Sequence, residues 1–156
     1  VNHLVQTDGT GLIVHMDVIH DEDEKTVMAI IGDVSQYAIG VHTINLHDYN
    51  TGYGVLKDIN RDICTLTKSP IPMQPSWKYR MGITNEVHHH KLIPHPDALN
   101  HSSVEKLAGP KIASFCYDYT TFYAEVTPID PKFHAWCFLS ACSNPILGFN
   151  GTDMIG

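Results

Sequence analysis

The sequence has few basic residues: ten lysines and arginines against seventeen aspartates and glutamates give a formal charge of -7. Nucleic-acid-binding domains present a basic face to phosphate groups, and no basic patch occurs along this chain. Long apolar runs are also missing. The run from Val27 to Ile31 is far shorter than a membrane-spanning helix requires. We therefore expect a soluble acidic protein that binds no nucleic acid.

The motifs of common catalytic sites are absent as well. The chain has no Gly-x-Ser-x-Gly elbow, no phosphate-binding glycine loop and no His-Glu-x-x-His helix. Its four cysteines, Cys64, Cys116, Cys137 and Cys142, lack the paired spacing of a zinc site. An even number of cysteines favours disulfides over a free thiol nucleophile. We expect a protein that is not an enzyme and needs no cofactor.

Several features favour an oxidising compartment. Two glycosylation sequons occur, one beginning at Asn100 and the other at Asn150. Paired thiols favour the same environment. No signal-like stretch begins at Val1, so we expect any targeting segment to have been removed or to lie outside the given sequence. The sequence predicts a glycoprotein that is secreted or resides in the lumen of the secretory pathway.

Hydrophobic residues make up 43% of the chain, which predicts a packed domain rather than disorder. Apolar alternation predicts strands at Leu12–Ile19, Val27–Ile31, Ala38–Leu46, Tyr53–Leu56, Ile63–Thr67 and Tyr119–Val126. A short helix is expected from Ser76 to Met81, and a second within residues 103–117, beginning or kinking at Pro110. Residues 87–103 are rich in histidine and proline, which predicts a long loop.

Histidine is unusually frequent, with eleven copies. His88 and His90 lie in the predicted loop, where histidines are usually solvated. The alternatives are loose binding of zinc or copper by these two side chains, or a charge change near the histidine pKa that reshapes the loop.

Two stretches resemble a known family. Asp48-Tyr49, then Gly52-Tyr53-Gly54, then Cys64 in a strand, Lys68 and a proline-rich step are similar to the middle of a BRICHOS domain. The later stretch from Lys106 to Cys116, followed by an aromatic strand, resembles the closing helix and strand of that domain. Within the family, the chain is most similar to gastrokines.

The resemblance covers residues 27–126. Residues 1–26 then form an N-terminal strand and linker region, and residues 127–156 an apolar tail with a local cysteine pair. It implies an α+β fold: a central, mostly antiparallel sheet of about five strands, flanked by two helices and disulfide-bonded. The first predicted helix is shorter than in the family, and Gly109-Pro110 interrupts the second.

The resemblance also implies the cysteine pairing. One disulfide would join the Cys64 strand to the Cys116 helix, and Cys137 and Cys142 would form a second, local bridge. From the sequence alone, four cysteines permit three connectivities.

Asp48 matches the characteristic aspartate of the family, which implies a pH-sensitive switch. The alternative is that Asp48 caps its own turn through its side chain. An apolar sheet face would bind the client segment, and ordinary core packing is the alternative for each of its residues. The candidate face residues are Val41, Thr43, Val55, Leu66, Tyr119, Thr121 and Tyr123.

The function implied is that of a secreted anti-aggregation chaperone. Its partner would be a β-prone peptide or protein segment, including one from the same precursor, or further copies of the chain. Two alternatives remain open. The chain could be the precursor of a secreted bioactive or antimicrobial peptide taken from the tail, or an extracellular binding module without chaperone activity.

Overall fold

The computed structural model describes residues 2–7, 13–32, 40–69, 73, 75, 83–84, 89–128, 141–143 and 152–155. The expected helix at residues 76–81 lies outside this part of the chain. None of the described helices is long and apolar enough to cross a membrane.

The described residues form one large sheet. Its strands are β1 (Asn2–Thr7), β2 (Ile13–Asp21), β3 (Thr26–Ile31), β4 (Gly40–Val41), β5 (Thr43–Asp48), β6 (Tyr53–Asp58), β7 (Ile63–Lys68), β8 (Ile83–Thr84), β9 (His89–Leu99), β10 (Thr120–Pro128), β11 (Ala141–Ser143) and β12 (Thr152–Ile155). Their order is β4-β11-β12-β9-β10-β7-β6-β5-β3-β2-β1-β8. Only the β7–β10 and β1–β8 pairs are parallel. The sheet is mostly antiparallel, as expected, but has more strands than the five expected.

The N-terminal strands belong to this sheet and do not form a separate layer. β2 pairs with β3 from Asp21↔Thr26 to Met16↔Ile31, and β3 continues the pairing into β5. The side chains of β2 alternate between buried and exposed, since Met16 and Val18 are buried while their neighbours are exposed. Burial of one face of β2 fixes its position and register in the sheet.

Three hairpin turns share one local chemistry. Each follows an aspartate whose carboxylate accepts a backbone N–H two or three residues later. Each turn ends on a residue with positive φ, a conformation that closes hairpin loops of this length. The turns run from Asp21 to Lys25 (φ 54°), from Asp48 to Gly52 (φ 78°) and from Asp58 to Asp62 (φ 54°).

Two short helices follow β9. They are α1 (His101–Ala108) and α2 (Pro110–Phe115). Gly109, with φ 91° and ψ 171°, separates them, and Pro110 occupies the first turn of α2. The interruption expected at Gly109-Pro110 is therefore a complete break between two helices.

The main core lies between these helices and one face of the central strands. Its buried residues are Leu46, Val55, Cys64 and Leu66 from the sheet and Val104, Ala108, Ile112, Ala113 and Cys116 from the helical segment. Leu56, Leu92 and Ala124 form a smaller buried cluster. Because side chains alternate along a strand, adjacent Val55 and Leu56 serve opposite faces.

The prediction of a loop at residues 87–103 is wrong for most of this segment, because residues 89–99 form β9. The strand pairs with β10 on one side, where Ala98 opposes Phe122 and Pro94 opposes Ala124. Residues 95–97 therefore bulge opposite Tyr123. On the other side β12 pairs only with residues 89–92. Among the described residues, the outer edge of β9 from 93 to 99 has no neighbouring strand, which is where prolines are tolerated.

Candidate functional site

Asp48 ends β5 and is 3% exposed. Its Oδ1 accepts hydrogen bonds from the backbone N–H of Asn50 at 3.0 Å and from Asn50 Nδ2 at 2.9 Å. Its carbonyl oxygen accepts from the N–H of Gly52 at 2.9 Å. Asp48 therefore caps its own turn, which was one of the two interpretations of this residue.

The other carboxylate oxygen faces the break between the helices. A Cβ atom placed on Gly109 would lie 3.9 Å from Asp48 Oδ2 and 3.1 Å from Thr51 Cγ2. The helix junction therefore packs closely on the β5–β6 turn. A side chain at Gly109 would meet both a positive φ and a close neighbour.

A charged contact lies beside this junction. Lys111 Nζ donates to Glu24 Oε2 at 2.6 Å, and Asn50 Nδ2 donates to the Glu24 carbonyl at 2.7 Å. The hydrogen bond to Glu24 has the largest effect and raises the pKa of Lys111; desolvation opposes it, and the charges of Glu24, Asp48 and Asp21 each add a smaller increase. We call Glu24, Asp48, Asn50, Gly109 and Lys111 the turn cluster. It joins the β2–β3 turn, the β5–β6 turn and α2.

His47 and Gly54 form a cross-strand pair next to the turn cluster. The two residues are directly opposite in β5 and β6, and a Cβ on Gly54 would lie 2.5 Å from His47 Nδ1. The imidazole also lies 3.2 Å from Ser69 Oγ and stacks on Tyr49 with ring centroids 6.0 Å apart. Burial lowers the pKa of His47 to about 4. Because Gly54 has no side chain, it leaves the space that the histidine ring fills.

Sequence reasoning missed His47. Its signal was Gly54, because a glycine inside a strand often marks a close approach. Nothing in the sequence shows which residue approaches, since the pairing requires the register of β5 against β6.

Cys64 and Cys116 form a disulfide, the bond that the resemblance implies. Their Cα atoms are 6.2 Å apart, and the residues are separated by 52 positions. Cys64 belongs to β7, and Cys116 follows the last turn of α2, so the bond fastens the helical layer to the sheet. Closing this loop stabilises the fold by about 4 kcal/mol in the chain-entropy description. Cys142 lies in β11, but Cys137 lies outside the described residues, and their pairing stays a prediction.

The seven candidate face residues do not share one exposed surface. Thr43 pairs with Asp58 and Val55 with Leu66, so Thr43 and Val55 lie on opposite faces of the sheet. Val41 lies in the two-residue strand β4. The remaining five face the helices, with Val55, Leu66 and Thr121 buried and Tyr119 and Tyr123 partly buried. In this conformation the helices cover that group.

The histidine-rich segment is partly described. His88 lies outside the described residues, and His90 lies in β9 opposite Pro128 and Met154. His95 Nε2 lies 3.2 Å from Glu125 Oε1 at the exposed surface. No group of three or more metal-ligating side chains occurs in the part of the chain that the structure describes.

The two sequons also differ in what the structure shows. Asn100 is exposed and precedes α1, where its Oδ1 accepts a hydrogen bond from Ser103 N at 2.8 Å. Asn150 lies outside the described residues.

Comparisons with family models, curated proteins and solved structures find no match for this chain.

Proposed function

We propose that the chain is a BRICHOS-type domain of the secretory pathway or extracellular space that binds β-prone segments and prevents their aggregation. The observation that carries the proposal is the strand-to-helix disulfide Cys64–Cys116, which joins the two stretches that resemble the family. The position of Asp48 beside the helix junction at Gly109 supports the same assignment. The role proposed is binding, without catalysis.

The helices leave part of their face of the sheet uncovered, and this part is the surface that we propose for the client. Ile19 in β2 is 41% exposed and Ile30 in β3 is 37% exposed. Ile19 lies opposite Met28, which packs against the helix-side core, and Ile30 lies two residues further along the same face. We call the exposed side chains Ile19 and Ile30 the uncovered patch. An extended apolar segment could lie on it beside the helices.

Binding at the β9 edge is less favoured than binding at this face. A client strand needs a regular row of N–H and C=O groups, and the open part of β9 contains Pro94, Pro96 and a bulge. Each proline lacks an N–H donor. The prolines and the bulge protect this edge from further strands.

The pH role of Asp48 is part of the proposal. The turn cluster joins α2 to two turns of the sheet through the Lys111–Glu24 contact and the Asp48 cap. A change in the charge of Asp48 would act directly on the contact between the β5–β6 turn and the helix junction at Gly109. A looser helix layer would then expose the tyrosines and aliphatic residues beneath it.

Suppression of amyloid formation tests the function and the surface together. The purified chain, at a tenth of the client concentration, should delay fibril growth of a β-prone peptide followed by thioflavin fluorescence. The double variant Ile19→Ser/Ile30→Ser should lose most of this delay. Ile59→Ser is the matched control, because Ile59 is similarly exposed (38%) but lies in the β6–β7 turn. It should keep the delay.

Two results would contradict these expectations in different ways. Absence of any delay with the unaltered chain at an equimolar ratio would overturn the chaperone function. Equal delay by all three proteins would leave the function standing and overturn the uncovered patch as its surface.

A further inference from the structure

The two atoms of the Asn100 side-chain amide have different surroundings. Asn100 links β9 to α1, with the extended backbone (φ -77°, ψ 164°) of a helix N-cap. Its Oδ1 accepts the hydrogen bond from Ser103 N at 2.8 Å, which satisfies one of the free N–H groups of the first helical turn. The cap therefore uses only the oxygen.

The nitrogen of the same amide is available. Within the described part of the chain, Asn100 Nδ2 has no hydrogen-bond partner, and Asn100, His101 and Ser102 are all exposed. These three residues form the Asn-x-Ser acceptor sequence for N-glycosylation. A sugar on Nδ2 would project into solvent and leave Oδ1 in place as an acceptor.

We propose that Asn100 carries an N-linked glycan while it continues to cap α1. In the transfer, Nδ2 forms a bond to the anomeric carbon of a lipid-pyrophosphate-linked oligosaccharide. The bond from that carbon to the pyrophosphate oxygen breaks, the lipid pyrophosphate leaves, and one Nδ2 proton passes to a base. The proposal rests on the secretory location assumed under the proposed function, but not on chaperone activity.

The surroundings fit a large substituent. Residues 93–98 of β9 are exposed, and this outer edge has no neighbouring strand among the described residues. The ring of Tyr117, which is 67% exposed, contacts the His101 ring with centroids 4.9 Å apart. A glycan on Asn100 would thus lie over the open end of β9 and near Tyr117, the most exposed tyrosine among the described residues.

Site occupancy is the first measurement. The chain should be secreted from eukaryotic cells behind a cleavable leader, then treated with peptide N-glycosidase in ¹⁸O-water, which marks a formerly glycosylated Asn100 as labelled aspartate. We expect label at Asn100 in most molecules and none in Ser102→Ala. Unlabelled Asn100, from cells that glycosylate a co-secreted reporter, would overturn the proposal.

Thermal unfolding tests whether the cap survives. Endoglycosidase H leaves one sugar on Asn100, while Ser102→Ala has no sugar but keeps the cap. These two proteins should unfold at the same temperature. Asn100→Gln, which loses both, should unfold roughly 2–4 °C lower. If the trimmed glycoprotein unfolds at the same lower temperature as Asn100→Gln, the sugar displaces the cap. That result would overturn the proposed double use of the amide.

These measurements do not involve a client. Failure of the amyloid assay together with an occupied Asn100 would reject the proposed function alone. An empty Asn100 together with normal suppression would reject the glycan alone.

Discussion

The β5–β6 and β6–β7 turns begin with the same chemistry and end in different surroundings. Asp48 and Asp58 both end strands, are both buried, and both cap their turns. Asp58 forms an ion pair within its own turn, where Arg61 Nε donates to Asp58 Oδ2 at 2.7 Å. Asp48 has no such partner in its turn, and its second oxygen faces Gly109 in the helical segment. Of these two aspartates, Asp48 is the one whose carboxylate lies against the helical segment in the part of the chain that the structure describes.

The helical layer is held differently at its two ends. Near the β6–β7 turn, Cys64 fastens β7 to the end of α2 through a covalent bond. At the turn cluster, the attachment consists of packing at Gly109, hydrogen bonds and one exposed ion pair. Exposed ion pairs are weak. We therefore expect the helices to separate from the sheet first at the Asp48 end.

The largest expected effect comes from removing the covalent attachment. Cys64→Ala/Cys116→Ala should lower the free energy of unfolding by about 4 kcal/mol, because the unfolded chain regains the entropy of an open loop. Urea denaturation followed by circular dichroism measures this. Reduction of the unaltered protein should produce a similar loss, and a loss below about 1 kcal/mol in both cases would contradict the expected role of the bond.

Acidification should act at the residue before Asp48. Burial lowers the pKa of His47 from 6.5 to about 4, so the folded state favours the neutral imidazole. Above the unfolded pKa, His47 is neutral in both states and costs nothing. As the pH falls from 6.5 towards 4, the unfolded chain binds the proton first, and folding loses up to about 3 kcal/mol.

The matched variants for this pH dependence are His47→Gln and His95→Gln. Denaturation at several pH values between 7.5 and 4 gives the free energy of unfolding as a function of pH. The slope of this dependence should be smaller in His47→Gln than in the unaltered chain. The slope should be unchanged in His95→Gln, which makes the same substitution at a histidine on the exposed surface. An unchanged slope in His47→Gln would rule out His47 as the source.

The helix junction allows a smaller and more local test. Gly109→Ala should cost about 2 kcal/mol, from a backbone conformation that only glycine adopts readily and from the close contact with Thr51. Gly52→Ala is the control, because Gly52 also has positive φ but a Cβ there meets no atom within 4 Å. Chemical denaturation should show the smaller loss for Gly52→Ala. Equal losses would mean that the packing of the junction on the turn contributes nothing.

The smallest effect should be a gain. Asp62 has φ 54°, a conformation that costs most side chains energy, and it occupies the position that Gly52 holds in the neighbouring turn. Asp62→Gly should therefore raise the free energy of unfolding by about 0.5 kcal/mol. Asp62→Asn should remain near the original, as asparagine tolerates positive φ. A loss in Asp62→Gly would show that the two turns are not equivalent.

The local elements of this fold were largely predictable. Alternating residues located β2, β3, β7 and β10, because one face of each is buried. β9 was not predictable from alternation: Pro94 and Pro96 argue against a strand, and they are accommodated by an open edge and a bulge that only the partner strands define.

The candidate site was predictable only in part. The cap on Asp48 is local chemistry and follows from a short stretch of sequence. The contact of Lys111 with Glu24 joins residues 87 positions apart, and no local pattern encodes it. The burial of Val55 and Leu66 likewise depends on which face of the sheet the helices cover.

The parallel pairing of β10 with β7 has a consequence for synthesis. The strands β5 to β7 follow one another in the chain and pair as antiparallel hairpins, whereas the next partner of β7, β10, comes only after the helices. At roughly 5–20 residues per second, Cys116 emerges about 3–10 s after Cys64. During that interval β7 presents an unpaired edge and a free thiol to other nascent chains. We therefore expect mispairing during synthesis to increase when α2 and β10 follow β7 more slowly.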